Sequence, residues 1–243
     1  MSAFFEELDY QVTPLGAISL RRRRDLSTGL DIFEIKLNDE FLMSSKFTAS
    51  EEALATLGLA DLGDSNLDIV VGGLGLGYTA AAALRHPHVR TMLVVDAMRP
   101  VIDWHERGLL PLEPALAGDA RCRFVEGDFF AMARAPETGF DPLEPGRRFD
   151  AILLDIDHSP RQFLHPSNGA LYSEQGLQIL AEHLRPGGVF ALWSNDPEDA
   201  AFTAVLRAAV GVTRAEPVVF HNPLQDRDAL QCVYLARKAG DAT

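Results

Sequence analysis

The sequence predicts an α/β fold: a mainly parallel sheet covered by helices on both faces, preceded by a small β-rich element. Three observations predict it. From Leu67 onward, short runs of Val, Ile and Leu alternate with stretches of helical spacing, the pattern of strands buried on both faces. The first of these runs feeds straight into a glycine-rich turn, Gly72–Gly77. Before residue 60 the pattern differs, with apolar and charged residues partly alternating around turn signals. The 243 residues, 47% hydrophobic and 23% charged, are enough for one full core with a small appendage.

Taken in order, Leu15–Arg24 reads as a strand, Asp25–Gly29 as a turn and Leu30–Leu37 as a second strand, so the pair predicts a hairpin. Phe41–Met43 adds a short strand. Ser50–Leu59 reads as a helix, capped by Thr48 or Ser50, with Glu51 and Glu52 in its first turn. Strands are expected at Leu67–Val71, Thr91–Val95, Cys122–Val125, Phe149–Leu154 and Gly188–Trp193. Helices are expected at Tyr78–Leu84, Pro100–Arg107, Glu174–Leu184 and Pro197–Val210. Val212–His221 and Leu230–Arg237 close the chain as an antiparallel pair. The expected division is residues 1–60, β-rich with the first helix, and residues 61–243, the α/β domain.

The formal net charge of −13 argues against general nucleic-acid binding, which needs clustered cations. Arg21–Arg24 is the one dense basic run; with no aromatic residues interleaved it reads as a solvated edge strand. Cys122 and Cys232 sit in apolar runs and form neither a disulfide framework nor a metal motif, so core thiols and no metal are expected. The opening residues, MSAFFEELDYQ, lack the cationic start and apolar stretch of a secretory leader. No apolar run is long enough to span a membrane, and the cytoplasm is the expected location.

The strongest local signal is the turn Gly72-Gly73-Leu74-Gly75-Leu76-Gly77. Glycine permits positive φ and close backbone approach to a ligand, and the helix start beside it offers free N–H groups. The next strand ends in Asp96, placed to accept both hydroxyls of a ribose; the alternative is a helix cap for the residues from Met98. Together these suggest a ligand containing adenosine. The glycines lack the G-x-G-x-x-G spacing of dinucleotide enzymes. The third strand ends in Glu126-Gly127-Asp128-Phe129, where Asp128 can accept an adenine amino group and Phe129 can cover a ring face. That layout favours S-adenosylmethionine over a nicotinamide dinucleotide.

The segment from Leu67 to Arg237 resembles class I S-adenosylmethionine-dependent transferases, and the whole chain resembles the spermidine synthase-like family. The matching stretches are TPLGAISLR (Thr13–Arg21), GGLGLG (Gly72–Gly77), Val95-Asp96, EGD (Glu126–Asp128), AILLD (Ala151–Asp155), LYS (Leu171–Ser173) and LRPGGVF (Leu184–Phe190). The resemblance implies a Rossmann-like seven-stranded sheet of the class I methyltransferase kind with a small N-terminal β-hairpin element. It also implies an adenosyl pocket at the strand C-termini, with Gly72, Gly73, Gly75 and Gly77 lining the cofactor, Asp96 on the ribose and Asp128 on the adenine. The cofactor would be S-adenosylmethionine or its decarboxylated form, and a homodimer is common in the family.

Spermidine synthases carry an acid in the glycine loop, where this chain has Leu74 and Leu76. Their D-S-[S/T]-D-P motif is here Asp155-Ile156-Asp157-His158-Ser159-Pro160, and their Tyr-His-Glu stretch aligns with Ser50-Glu51-Glu52. These departures favour methyl transfer to a small amine over aminopropyl transfer. A non-catalytic adenosyl-binding or oligomerising module is the reading from another class. An amine must lose a proton as it is alkylated, so Asp155, Asp157 and His158 are the candidate catalytic groups. Asp155 is the aspartate expected at the crevice, with Asp157 beside it only if the chain has turned by then, since an extended Ile156 is expected to put the two on opposite sides. Glu51, Glu52 and, by analogy with the family, Tyr172 are the candidate acceptor contacts.

Overall fold

A computed structural model describes residues 4–63, 66–222 and 226–240. The ends of the expected division, residues 1–3 and 241–243, lie outside the described residues. Four antiparallel strands come first: β1 (Phe5–Thr13), β2 (Gly16–Arg24), β3 (Asp31–Leu37) and β4 (Glu40–Ser44), side by side in that order. The expected hairpin is the β2–β3 pair, and β1 and β4 widen it to a sheet.

The Arg21–Arg24 run therefore lies on an inner strand, not on an edge. Arg21 and Arg22 pair with Glu7 and Glu6 of β1, while Arg23 and Arg24 pair with Glu34 and Asp31 of β3. Strand β1, FEELDYQVT, alternates apolar and polar residues from Leu8 to Thr13, but the pattern breaks at Glu6 and Glu7, where the register to β2 shifts. Beneath these charges, Ile18, Leu20 and Ile35 are buried in one cluster with Leu54 and with Ile69 and Val71. The N-terminal sheet thus shares a core with the α/β domain.

Helix α1 (Ala49–Leu59) begins after Thr48, whose hydroxyl bonds the Glu52 carboxylate rather than capping a backbone N–H. Next come β5 (Leu67–Gly72), α2 (Tyr78–Leu84), β6 (Val89–Asp96), α3 (Arg99–Glu106), β7 (Cys122–Glu126), α4 (Phe129–Ala133) and β8 (Phe149–Leu154). The chain ends with α5 (Glu174–Glu182), β9 (Leu184–Ser194), α6 (Ala200–Ala209), β10 (Gly211–Asn222) and β11 (Arg227–Lys238). The seven-stranded sheet has the order β10-β11-β9-β8-β5-β6-β7. Neighbours from β9 to β7 are parallel, and β11 runs antiparallel between β9 and β10.

Every residue of β5 is buried, which is why its sequence is apolar apart from Asp68, whose carboxylate is paired with Arg90 and Arg185. Helices α1, α2 and α3 cover one face of the sheet and α4, α5 and α6 the other. Helix α6 starts later than expected because Asp199 caps it, accepting from Ala201 and Phe202 N–H, which leaves Pro197 outside. The chain departs from β5 to β6 on one side and continues to β8 on the other. Such a switch point opens a crevice at the strand C-termini, where open α/β sheets bind ligands. Among the described residues no helix is long and apolar enough to cross a membrane.

Candidate active site

The glycine turn leaves β5 into that crevice. Gly73, Gly75 and Gly77 adopt φ of 91°, 45° and 89°, in the region that L side chains avoid. The turn is tied down at several points. Gly73 N–H donates to the Val95 carbonyl at 2.9 Å, and Asp155 N–H donates to the Gly72 carbonyl at 2.8 Å. A Cβ on Gly73 would lie 2.1 Å from the Asp155 carbonyl oxygen, so only glycine fits there. Asp96 at the end of β6 accepts from Leu74 N–H at 2.9 Å and from Met98 N–H at 2.8 Å. Burial lifts its carboxyl above the ordinary range, against these amides and that of Gly75, which favour the anion. Asp128 caps α4 through Oδ1, accepting from Phe130 and Ala131 N–H at 2.9 and 3.2 Å. Its Oδ2 has no partner among the described residues.

These groups line one cavity of about 400 Å³, together with Glu51, Asp155, His158 and Trp193. Its outer wall is the N-terminal sheet. Asp155 Oδ2 accepts from the Thr79 hydroxyl at 2.6 Å, and Glu51 Oε2 accepts from Ser50 at 2.7 Å. Burial raises both carboxyls, and the Asp155 charge raises Glu51 further, so the two titrate as a pair above the ordinary carboxylate range. His158 stands at the rim with Nε2 3.1 Å from Glu40. Among the described residues no three His, Cys, Asp or Glu side chains are grouped to hold a metal.

A vicinal diol fits this donor set: Asp96 keeps lone pairs beyond those its amides use, and the turn beside it carries no side chain at Gly73, Gly75 or Gly77. Comparison with solved structures identifies the fold. Spermidine synthase in complex with the transition-state analogue AdoDATO superposes with a TM-score of 0.71, covering 97% of this chain and 74% of that one at 18% identity. Spermidine synthase from Thermotoga maritima gives 0.69. The fold is spermidine synthase-like. In sequence, polyamine aminopropyltransferase 2 of Pseudomonas aeruginosa is 28% identical over 156 residues, 60% of this chain and 40% of that protein. The Streptomyces coelicolor protein of the same name is 31% identical over 155 residues, 26% of its length. Putrescine N-methyltransferase 1 of Nicotiana tabacum is 28% identical over 138 residues, 33% of its length. The chain thus spans less than half the length of these relatives. No family model matches it.

Within this spermidine synthase-like frame, several residues fall elsewhere than the sequence suggested. Gly72 does not line the cavity; it is the last residue of β5, and a Cβ there would strike the Phe129 ring at 2.6 Å. Phe129 borders the cavity, but its ring is 2% exposed and stacks on Phe140 at 4.9 Å, so it serves mainly as core. Asp157 turns away from the cavity. A strand continued through Ile156 would carry Asp155 and Asp157 on one face, not on opposite sides, but the strand ends at Leu154 and the chain bends. Asp157 then accepts from Leu164 N–H, Asn168 and Tyr172 at 2.7, 2.9 and 2.8 Å, buried among them. Tyr172 is accordingly core, stacked on Phe163, and does not reach the cavity. Glu52 faces solvent, paired with Arg85 at 2.6 Å.

Two contributors carry no local sequence signal. His105 of α3 is buried and its Nε2 lies 2.9 Å from the Gly75 carbonyl. A carbonyl only accepts, so Nε2 carries the hydrogen; burial lowers the ring to about 4 and keeps it neutral. His105 thereby braces the glycine turn from behind. Met43 of β4 braces it from the front, its sulfur accepting from Leu76 N–H at 3.1 Å.

Proposed function

We propose that the protein transfers a methyl group from S-adenosylmethionine to a small amine. The observation that carries this reading is the Glu51–Asp155 carboxylate pair in the same cavity as the glycine turn, Asp96 and Asp128. Asp96 would accept the ribose hydroxyls, and the uncommitted Oδ2 of Asp128 the adenine amino group. When bound, the sulfonium donor supplies an alkyl group already activated for displacement, so the protein's task is alignment. Asp155 would take the proton that the amine nitrogen loses as its new N–C bond forms. Burial, opposed by the Thr79 hydroxyl, keeps the proton affinity of that carboxylate near neutrality, where general-base catalysis is effective.

Aminopropyl transfer from the decarboxylated donor is the second reading, favoured by the names of the two bacterial relatives. Against it stand Leu74 and Leu76, buried in the loop where an acid would hold the aminopropyl amine. Calorimetry with each donor, followed by turnover with putrescine, tests the choice. Tighter binding of S-adenosylmethionine with methylated product is expected. Tighter binding of the decarboxylated donor with aminopropyl transfer establishes the second reading, and no binding of either rejects both.

A further inference from the structure

Resting on the methyl-transfer reading above, we infer that His158 recognises the carboxylate of S-adenosylmethionine and so selects between the two donors. The donors differ by that carboxylate alone. They share the adenosyl group, the sulfonium and the amino group, so only a partner for the carboxylate can tell them apart.

The cavity is poorly supplied with such partners. Its lining holds four carboxylates, Glu51, Asp96, Asp128 and Asp155, and no lysine or arginine among the described residues. An added anion is repelled there unless a cation or an uncommitted donor meets it. The amides of the glycine turn are already committed. Gly73 N–H donates to Val95, Leu74 and Gly75 N–H to Asp96, Leu76 N–H to Met43 and Gly77 N–H to the Leu74 carbonyl. The neutral side chains of the lining are engaged as well. Asn168 Nδ2 donates to Asp157 at 2.9 Å, Ser167 Oγ lies 2.7 Å from His165 Nδ1, and Tyr78 faces Ser45 and the Glu51 and Glu52 charges. Two histidines remain, His158 and His165.

Their place along the sheet separates them. The strand order β7-β6-β5-β8 would lay an extended donor with its adenine at Asp128, its ribose at Asp96 and its sulfonium by the glycine turn. Its amino-acid end then arrives at the end of β8. His158 lies just after that strand and lines the cavity. His165 lies farther along the loop, exposed, with Nδ1 accepting from Ser167 N–H. The His158 ring has one nitrogen engaged and one to offer. Its Nε2 is 3.1 Å from Glu40 of β4, a carboxylate that only accepts, so Nε2 carries hydrogen. Its Nδ1 has no partner among the described residues, and donates to a second carboxylate once the ring takes up a proton, which histidine does close to neutrality. The charged groups around the ring are Glu40 across the rim, Asp157 on its own loop, and Glu51 and Asp155 in the cavity; His165 is the other base. None of the four acids competes with the ring for an anion.

Calorimetry with S-adenosylmethionine and with the decarboxylated donor at about pH 6.5, on the wild-type protein, His158→Gln and His165→Gln, tests this. We expect His158→Gln to weaken S-adenosylmethionine by about tenfold or more and the decarboxylated donor by less than about threefold. In His165→Gln the ratio of the two dissociation constants should stay within about threefold of the wild-type value. An unchanged ratio in His158→Gln, whether both donors weaken together or neither does, overturns the inference and leaves the methyl-transfer reading intact, because a purely structural role moves both donors alike. A larger change of ratio in His165→Gln than in His158→Gln also overturns it, in favour of the other histidine. Tighter binding of the decarboxylated donor by the wild-type protein, or binding of neither, overturns the methyl-transfer reading itself, and the inference with it.

Discussion

Asp155→Asn should stabilise the protein at neutral pH while removing its turnover. In the folded protein the Asp155 carboxyl is raised to about 6 and its neighbour Glu51 to about 7. In the unfolded chain both ionise in the ordinary range. The pair therefore favours the folded state fully only below that ordinary range, and the benefit is lost as pH rises through the folded values. For Asp155 alone the linkage corresponds to on the order of 2–3 kcal/mol against folding above neutrality. Asparagine removes that cost and keeps an oxygen for the Thr79 hydroxyl, now 2.6 Å from the carboxylate. Urea unfolding at about pH 8 should show the variant more stable than the parent by an amount of that order, with the difference shrinking toward about pH 4. Turnover should fall by about 10²–10⁴-fold at saturating donor, with the donor dissociation constant within about threefold of the parent. A variant less stable at about pH 8, or a difference independent of pH, would refute the burial argument. A raised donor dissociation constant with turnover preserved at saturation would show that Asp155 holds the donor and not the acceptor's proton.

Three further outcomes are expected from the same geometry. Asp96→Ala should weaken S-adenosylmethionine binding by about tenfold or more in calorimetry, through loss of charge-assisted hydrogen bonds; unchanged affinity with an intact fold would displace the ribose site. Gly73→Ala should destabilise the fold by several kcal/mol, about 3 or more, because of its φ of 91° and a Cβ contact of 2.1 Å with backbone, whereas Gly118→Ala, which meets nothing within 4 Å, should be neutral in thermal unfolding. Arg22→Gln should change stability by less than about 1 kcal/mol, since its 2.6 Å bond to Glu6 joins two partly exposed side chains; a larger loss would mean the charge ladder on β2 organises the N-terminal sheet.

The parallel half of the fold is written locally. Strands β5, β6 and β8 are buried over most of their length and apolar there, with Asp68, Arg90, Thr91 and Asp150 confined to the strand starts, and the glycine turn must be glycine wherever φ is positive. The antiparallel half is not written that way. Strand β1 is held by its backbone ladder to β2, with Glu6 and Glu7 set opposite Arg22 and Arg21, a match that exists only between strands. His105 and Met43 are hidden for the same reason. Each acts on the glycine turn from an element distant in sequence, through one hydrogen bond to backbone.

The candidate site was legible by residue type and position, but not by direction. Asp155 and Asp157 are the same side chain with one residue between them, and only the bend after Leu154 decides which of them meets the cavity. Hydrogen bonding then separates their roles. Asp157 accepts from Leu164, Asn168 and Tyr172, and with those donors it can be 1% exposed with no ligand. Asp155 has one side-chain donor, Thr79, and its other oxygen is uncommitted among the described residues. Asp128 differs from both: it is exposed and uses one oxygen to cap α4. A buried carboxylate satisfied by the fold has nothing to offer a ligand, whereas one left short of donors gains on binding what folding did not supply. Unused acceptor capacity, more than place in a motif, is therefore what supports the proton-accepting role proposed for Asp155.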